Sequence, residues 1–201
     1  MGATMLTDLL YYLTFYLVLP AVYICIIGPL ETLVHELAHT LTNHFLTRQP
    51  VQVYLGIIPQ GDEVYNEPIK RSRTLNFTVV GVSFHLKPFS GPIGFAHWEP
   101  VDQHEVWTYL AGPLASLVLA IIFSVTTYFA RSHTHTFSIW YYINQVAAIA
   151  AYMQFLVTII PIRYPSWWWR YAGYPSDGYL ILQTLRARRQ MMQQAQQDTI
   201  Q

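Results

Sequence analysis

Three long apolar stretches constrain this chain more than any other feature of its 201 residues. They cover residues 9–30, then about 106–130, then about 137–162. Each is at least as long as the roughly 20 residues that a helix needs to cross the hydrocarbon core of a bilayer. The composition agrees, since 53% of the residues are hydrophobic and 11% are charged, whereas soluble domains are about a quarter charged. The sequence therefore predicts an α-helical integral membrane protein with about three core transmembrane helices.

The ends of these stretches carry the aromatic residues expected at a membrane surface. Trp107 and Trp140 lie near the ends of the second and third stretches, and a tryptophan cluster at 167–169 follows the third. The first stretch has no lysine or arginine ahead of it, which favours a retained membrane helix over a cleavable signal peptide. Its helical pattern continues to about Phe45. A break at Pro20 or at Gly28-Pro29 would make two segments of it, and a kink would leave one bent helix.

The segment 48–104 is of a different kind. Hydrophobic and polar residues alternate over 51–55, 75–79 and 82–86, a pattern that predicts short β-strands. Gly81, between the last two, indicates a bulge or a hairpin turn. We therefore predict one domain over residues 1–201, with a membrane-associated β-rich insertion at 48–104 and a polar C-terminal tail at 183–201.

Charge predicts the orientation and excludes some functions. Positive residues concentrate in 48–104 and after the third apolar stretch. By the positive-inside rule, the β-rich segment and the C-terminus face the cytosol and the N-terminus faces outward, unless the chain reverses at Gly28-Pro29. The net charge is zero and no basic stretch indicates nucleic-acid binding. Cys25 is the only cysteine, so an internal disulfide and a cysteine-based metal site are excluded.

The motif that carries chemistry is His35-Glu36-Leu37-Ala38-His39. On a helix, residues four apart share a face, so that His35 and His39 can bind one metal ion. Glu36 projects beside them and can accept a proton from the water that attacks the substrate. The pattern directly follows an apolar stretch, where ionisable residues are costly and usually functional. It predicts a zinc site with Glu36 as the catalytic base.

Two histidines and a water leave a catalytic zinc ion one protein ligand short. His44 is about half a turn out of phase with His35, and Glu31, which shares its face, fits better as a polar neighbour of the site. The residues themselves leave several alternatives open, namely His85, His97, His104 and Asp177. Each has an ordinary explanation too, because the histidines can be surface residues and Asp177-Gly178 can be a simple turn.

Together the motifs resemble those of the site-2 protease family of intramembrane metalloproteases. That family has H-E-x-x-H at the end of its first core helix and an A-G-P element at the start of the second. An N-x-x-P element and a D-G element follow on the third. This chain has Ala111-Gly112-Pro113, with Ser116 after it, then Pro161 and Asp177-Gly178. The resemblance covers about residues 30–182 and implies that Asp177 is the third zinc ligand.

Two departures from the family pattern stand out. Thr158 replaces the family's asparagine, so that Thr158 is the candidate substrate-binding residue at this position. The family's short spacing between proline and aspartate is replaced here by residues 162–176, which include the three tryptophans.

The resemblance implies a zinc endopeptidase that cleaves a membrane-anchored protein within or near its transmembrane segment, as in regulated intramembrane proteolysis. The site would lie toward the cytosolic side of a multi-pass protein in the cell (inner) membrane. An exposed strand edge within 51–86 could hold the unwound substrate by strand addition. The alternatives are a catalytically silent zinc-binding scaffold or regulator and a metal or small-solute transporter. Glu36 argues against the first, and three spans without an inverted repeat argue against the second.

Overall fold

The computed structural model describes residues 9, 12–57, 74–88, 91–99, 104–133 and 139–200. The fold is mostly helical, with one small sheet. The α-helices are α1 (Leu19–Val22), α2 (Gly28–Thr47), α3 (Glu105–His133), α4 (Ile139–Ile159) and α5 (Asp177–Ile200). The strands are β1 (Val51–Leu55), β2 (Leu75–Val79), β3 (Val82–Leu86) and β4 (Gly94–His97). Three helical segments are long and apolar enough to cross a membrane: Phe15–Thr47, Glu105–Arg131 and Ile139–Ile159.

The first of these segments is one continuous helix, which resolves the question that its prolines raised. A wide π-helical turn precedes each proline, Thr14–Val18 before Pro20 and Tyr23–Ile27 before Pro29. Proline lacks an N–H donor and clashes with the carbonyl four residues earlier. The wider turn accommodates this, since the Gly28 amide bonds the Tyr23 carbonyl five residues back. The chain therefore runs without reversal to Arg48, whose left-handed conformation ends α2.

The predicted strands at 51–55, 75–79 and 82–86 are confirmed, and β4 was missed. Val80 and Gly81 both have positive φ, at 48° and 79°, as a two-residue hairpin turn between β2 and β3 requires. The strand order is β2-β3-β1-β4, with β1 parallel to β3 and antiparallel to β4. The two edge strands are therefore β2 and β4. Strand β4 is too short, and its Gly94 and Ala96 too small, to give a recognisable alternation in the sequence.

The sheet and helix α3 both pack against α2. Leu33 and Leu37 of α2 pack against the buried cluster of Val51, Val53 and Val82 in the sheet. Helix α3 packs against α2, α4 and α5. Small buried residues of α4 permit close helix packing: Ala147, Ala148 and Ala151. The polar tail at 183–201 continues α5 as an exposed helix through residue 198.

Candidate metal centre

The candidate centre consists of two histidines and an aspartate that lie far apart in the chain. His35 and His39 are adjacent on one face of α2, and each is 3% exposed. Their Nε2 atoms lie 3.2 Å apart. The Asp177 carboxylate, at the first residue of α5, lies 3.2 Å from His35 Nε2 and 3.4 Å from His39 Nε2. Among the residues that the structure describes, this is the group of ligand-type side chains that could hold a metal ion.

These distances suit a tetrahedral ion. Zinc bonds nitrogen and oxygen ligands at about 2.0–2.1 Å, so tetrahedral angles separate neighbouring ligand atoms by about 3.3–3.4 Å. The three contacts of 3.2, 3.2 and 3.4 Å are close to that separation. Three protein ligands leave a fourth position open, which is typical of catalytic rather than structural zinc sites.

The outer nitrogen of each imidazole is already bonded, which fixes the ring. His39 Nδ1 donates to the Thr108 carbonyl at 2.7 Å, because a carbonyl can only accept. His35 Nδ1 lies 2.8 Å from Ser116 Oγ. A neutral imidazole whose Nδ1 carries the proton presents the lone pair of Nε2 to the centre. Both histidines are thus oriented as metal ligands usually are.

Gly112 makes room for the two rings. A Cβ atom at this position would lie 2.8 Å from His35 Nε2 and closer still to His39 Nε2. Only glycine allows the backbone of α3 to approach the ligands this closely. The Ala111-Gly112-Pro113 element is therefore a packing surface against the HExxH face of α2, and Ser116, one turn further on, reaches His35.

The unusual segment between Pro161 and Asp177 is a closed hairpin. The Tyr164 amide donates to the Tyr174 carbonyl at 2.9 Å, and the Gly173 amide donates to the Tyr164 carbonyl at 2.8 Å. Arg163 and Pro175 form an antiparallel bridge below them. We call residues 162–176 the hairpin segment. Because its two ends meet, the long spacing does not move Asp177 away from the end of α4.

The start of α5 is fixed by its cap. Ser176 precedes the helix, and its Oγ accepts a hydrogen bond from the Tyr179 amide at 3.2 Å. This is a standard N-cap interaction. Gly178 packs so closely on α4 that a Cβ would collide with the Ile159 carbonyl oxygen. Asp177, between these two residues, has little freedom to leave the histidines.

The electrostatics of Asp177 reflect these contacts. Its side chain is 18% exposed. Burial alone would raise the pKa of Asp177, but the hydrogen bonds and positive charge that His39 and His35 supply when protonated outweigh it and hold the pKa below its ordinary value. The carboxylate is therefore ionised at neutral pH, as a metal ligand must be.

Glu36 lies at the wall of a cavity of about 550 Å³ that also contains the three candidate ligands. Its carboxylate is hydrogen-bonded by the backbone amide of Ala96 in β4. Further walls come from α4 and the hairpin segment, including Gln154, Thr158, Tyr164 and Tyr171. A carboxylate beside an open metal position, in a cavity large enough for a peptide segment, is the arrangement that base-assisted hydrolysis needs.

Thr158 lines this cavity, but its hydroxyl is bonded to its own helix. Thr158 Oγ1 donates to the Gln154 carbonyl at 2.9 Å. Gln154, one turn earlier, also lines the cavity, and no hydrogen bond of its side-chain amide is found within the described part of the chain. Sequence reasoning missed Gln154, although an amide within an apolar helix was a signal. It also missed Thr108, whose backbone contact leaves no trace in the sequence.

The other candidate ligands lie apart from the centre. His85 Nδ1 bonds Asn76 Oδ1 at 2.9 Å in the sheet. His44 Nδ1 bonds the Gln49 carbonyl at 2.8 Å. Glu31 is buried at 4% exposure in α2, His97 lines the cavity from β4, and His104 precedes α3. None of these five belongs to the group of ligand atoms around His35.

Comparisons with protein-family models, with curated proteins and with solved structures give no match to this chain.

Proposed function

We propose that this chain is a zinc-dependent intramembrane endopeptidase of the site-2 protease type. The observation that carries the proposal is the set of ligand separations, 3.2, 3.2 and 3.4 Å, among His35, His39 and Asp177. Bonded Nδ1 atoms on both histidines and Glu36 in the same cavity support it. The order of the motifs along the chain supports it through the family resemblance. The closed hairpin segment is compatible with the long spacing between Pro161 and Asp177.

The membrane setting is part of the proposal. Each of the three long helices carries large apolar side chains on its exposed surface, which lipid would cover. Examples are Leu17, Ile26, Val118, Ile122, Met153 and Leu156. Trp107, Trp140 and Trp167 are 63%, 69% and 78% exposed near the ends of helical segments, where a headgroup layer would be. We propose a multi-pass protein of the cell membrane, with the centre toward the cytosolic side as the positive charges predict.

The proposed reaction is hydrolysis of a peptide bond in a membrane-anchored protein. When bound by His35, His39 and Asp177, zinc supplies a Lewis acid that polarises the peptide carbonyl and acidifies the attacking water. Glu36 accepts a proton from that water while the water oxygen bonds to the carbonyl carbon. Glu36 then passes the proton to the nitrogen as the C–N bond breaks. A helical substrate must unwind locally first, because its carbonyls are hydrogen-bonded.

The test uses the full chain, purified and reconstituted in lipid vesicles with a peptide anchored by an apolar helix. Wild type should bind one zinc per chain and cleave the peptide. Glu36→Gln should keep zinc and lose cleavage, and Asp177→Asn should bind zinc weakly. Asp198→Asn, at the far end of α5, is the matched control and should behave as wild type. Cleavage by Glu36→Gln at the wild-type rate would refute the mechanism. Zinc binding without any cleavage would favour a zinc-binding scaffold.

A further inference from the structure

Strand β4 exposes one row of backbone groups to the cavity. The Gly56 amide donates to the Ile93 carbonyl at 2.6 Å, and this bond identifies which residues of β4 bond β1. In an antiparallel ladder, alternate residues bond the partner strand and the others point away from it. In the register Leu55–Gly94 and Val53–Ala96, the backbone groups of Gly94 and Ala96 therefore point away from β1. The Ala96 amide bonds the Glu36 carboxylate there.

A tyrosine hydroxyl takes both backbone groups of Gly94. Tyr171 Oη accepts from the Gly94 amide at 2.8 Å and donates to the Gly94 carbonyl at 2.9 Å. Burial, together with the nearby Glu36 carboxylate, raises the pKa of Tyr171, so the hydroxyl stays protonated and able to donate. One residue of an added strand would use the same donor and acceptor in the same way. The Tyr171 hydroxyl thus makes the two hydrogen bonds with Gly94 that the backbone of an added strand would make.

We infer that Tyr171 is a gate: it occupies the edge of β4 beside the metal centre, and an extended segment of substrate must displace it to bind there as an added strand. The inference rests on the proposed endopeptidase function and adds how access to that site is restricted. It also changes which strand edge is expected to hold the substrate, which the sequence placed within 51–86. The edge strand in that range is β2, whereas the edge that lines the cavity is β4.

The hairpin segment, to which Tyr171 belongs, has the hydrogen bonds that a movable gate needs. Its own hydrogen bonds, Tyr164 to Tyr174 and Gly173 to Tyr164, close it independently of the sheet. Its links to the sheet region include the two Tyr171 contacts and a long hydrogen bond of 3.4 Å from Arg170 Nη1 to the Gly56 carbonyl. A move of the segment off β4 would break the Tyr171 contacts and leave its own backbone bonds intact.

The gate is tested by Tyr171→Phe, which removes the hydroxyl and keeps the ring. Binding is measured on zinc-loaded protein in the Glu36→Gln background, so that no cleavage intervenes. The probe is a fluorescent twelve-residue peptide rich in valine and threonine. Loss of two competing hydrogen bonds should tighten binding by about three- to tenfold. A peptide N-methylated at alternate residues, on the edge that would face β4, should gain nothing. Tyr128→Phe, which lies outside the cavity and is 71% exposed, is the control.

Unchanged or weaker peptide binding by Tyr171→Phe would overturn the gate and leave Tyr171 as a residue that only holds β4 in place. Cleavage is read separately in the Glu36-containing protein, where kcat/KM should rise by a similar factor. If no variant cleaves but Tyr171→Phe still binds the unmethylated peptide more tightly, the endopeptidase proposal fails and the gate stands.

Discussion

Ile162 and Ser176 lie 14 positions apart and are joined by two hydrogen bonds. The Ser176 amide donates to the Ile162 carbonyl at 2.9 Å, and the Ile162 amide donates to Ser176 Oγ at 3.2 Å. The same Oγ donates to the Ile160 carbonyl at 2.6 Å. One serine hydroxyl thus ties the end of α4 to the start of α5, immediately before the third candidate ligand.

Ser176→Ala should weaken both the fold and the metal site. The substitution removes the cap of α5 and leaves the Ile162 amide and the Ile160 carbonyl without this partner, so we expect a loss of about 1–2 kcal/mol in the free energy of unfolding. Zinc affinity should fall with it, because Asp177 is the next residue. Thermal unfolding in detergent and chelator competition measure the two effects. Ser166→Ala, at an exposed position of the same hairpin segment, should change neither. Full zinc affinity in Ser176→Ala would mean that Asp177 is held otherwise.

Ser116→Ala should lower zinc affinity without affecting the fold to a comparable degree. The Ser116 hydroxyl orients the His35 ring at 2.8 Å, and loss of such a partner typically costs about 10- to 100-fold in metal affinity. Ser124→Ala on the same helix is the matched control, since the hydrogen bond of Ser124 within the described residues goes to the Ala120 carbonyl of its own helix. Competition with a zinc indicator distinguishes the two. Equal affinities for both variants would show that the Ser116 contact does not orient the ligand.

Gly112→Ala should abolish zinc binding, because the added methyl group prevents His35 and His39 from keeping their positions as ligands. The added methyl would overlap the Nε2 atoms of His39 and His35, so the rings must turn away or α3 must shift. We expect a folded protein by circular dichroism and no bound zinc by elemental analysis. Leu114→Ala, at a position 46% exposed on the same turn, should retain zinc. A zinc-loaded Gly112→Ala protein would contradict the close packing of α3 on α2.

The local parts of this architecture could be read from the sequence. Apolar length gave three long helices, alternation gave β1 to β3, and the spacing of His35 and His39 placed both on one face. The parts that depend on tertiary contacts could not be read. Gln154 and Tyr171 reach the cavity only because α4 and the hairpin segment fold against it.

The role of Asp177 as third candidate ligand could not be predicted from the residues alone. From spacing alone it competed with several histidines, and only the resemblance selected it. The decisive fact is the closure of the hairpin segment, which depends on backbone bonds between residues such as Tyr164 and Tyr174. Backbone pairing of this kind is nearly independent of side-chain identity, so no motif predicts it.

Zinc binding should weaken as the pH falls, because protons compete with the metal ion for the imidazole nitrogens. Asp177 should not contribute to this fall. Since its pKa is held below the ordinary value, its carboxylate stays ionised above that value and protonates only at lower pH. Asp177→Asn should therefore lower affinity at every pH, and His39→Ala should lower affinity and flatten the pH dependence by about one proton. Isothermal titration at several pH values measures both. Affinity of Asp177→Asn equal to that of wild type at every pH would contradict the assignment.

Gln154→Leu should impair substrate binding while leaving the metal in place. The Gln154 amide faces the cavity from an apolar helix, one turn before Thr158, whose hydroxyl is bonded to its own helix. An unwound peptide offers free backbone groups that this amide can bond, so its loss should raise KM by about three- to tenfold. Zinc content should not change, because Gln154 is not one of the three candidate ligands. Gln145→Leu on the same helix, away from the cavity, is the matched control. If both variants bind and cleave the anchored peptide as wild type does, Gln154 takes no part in holding the substrate.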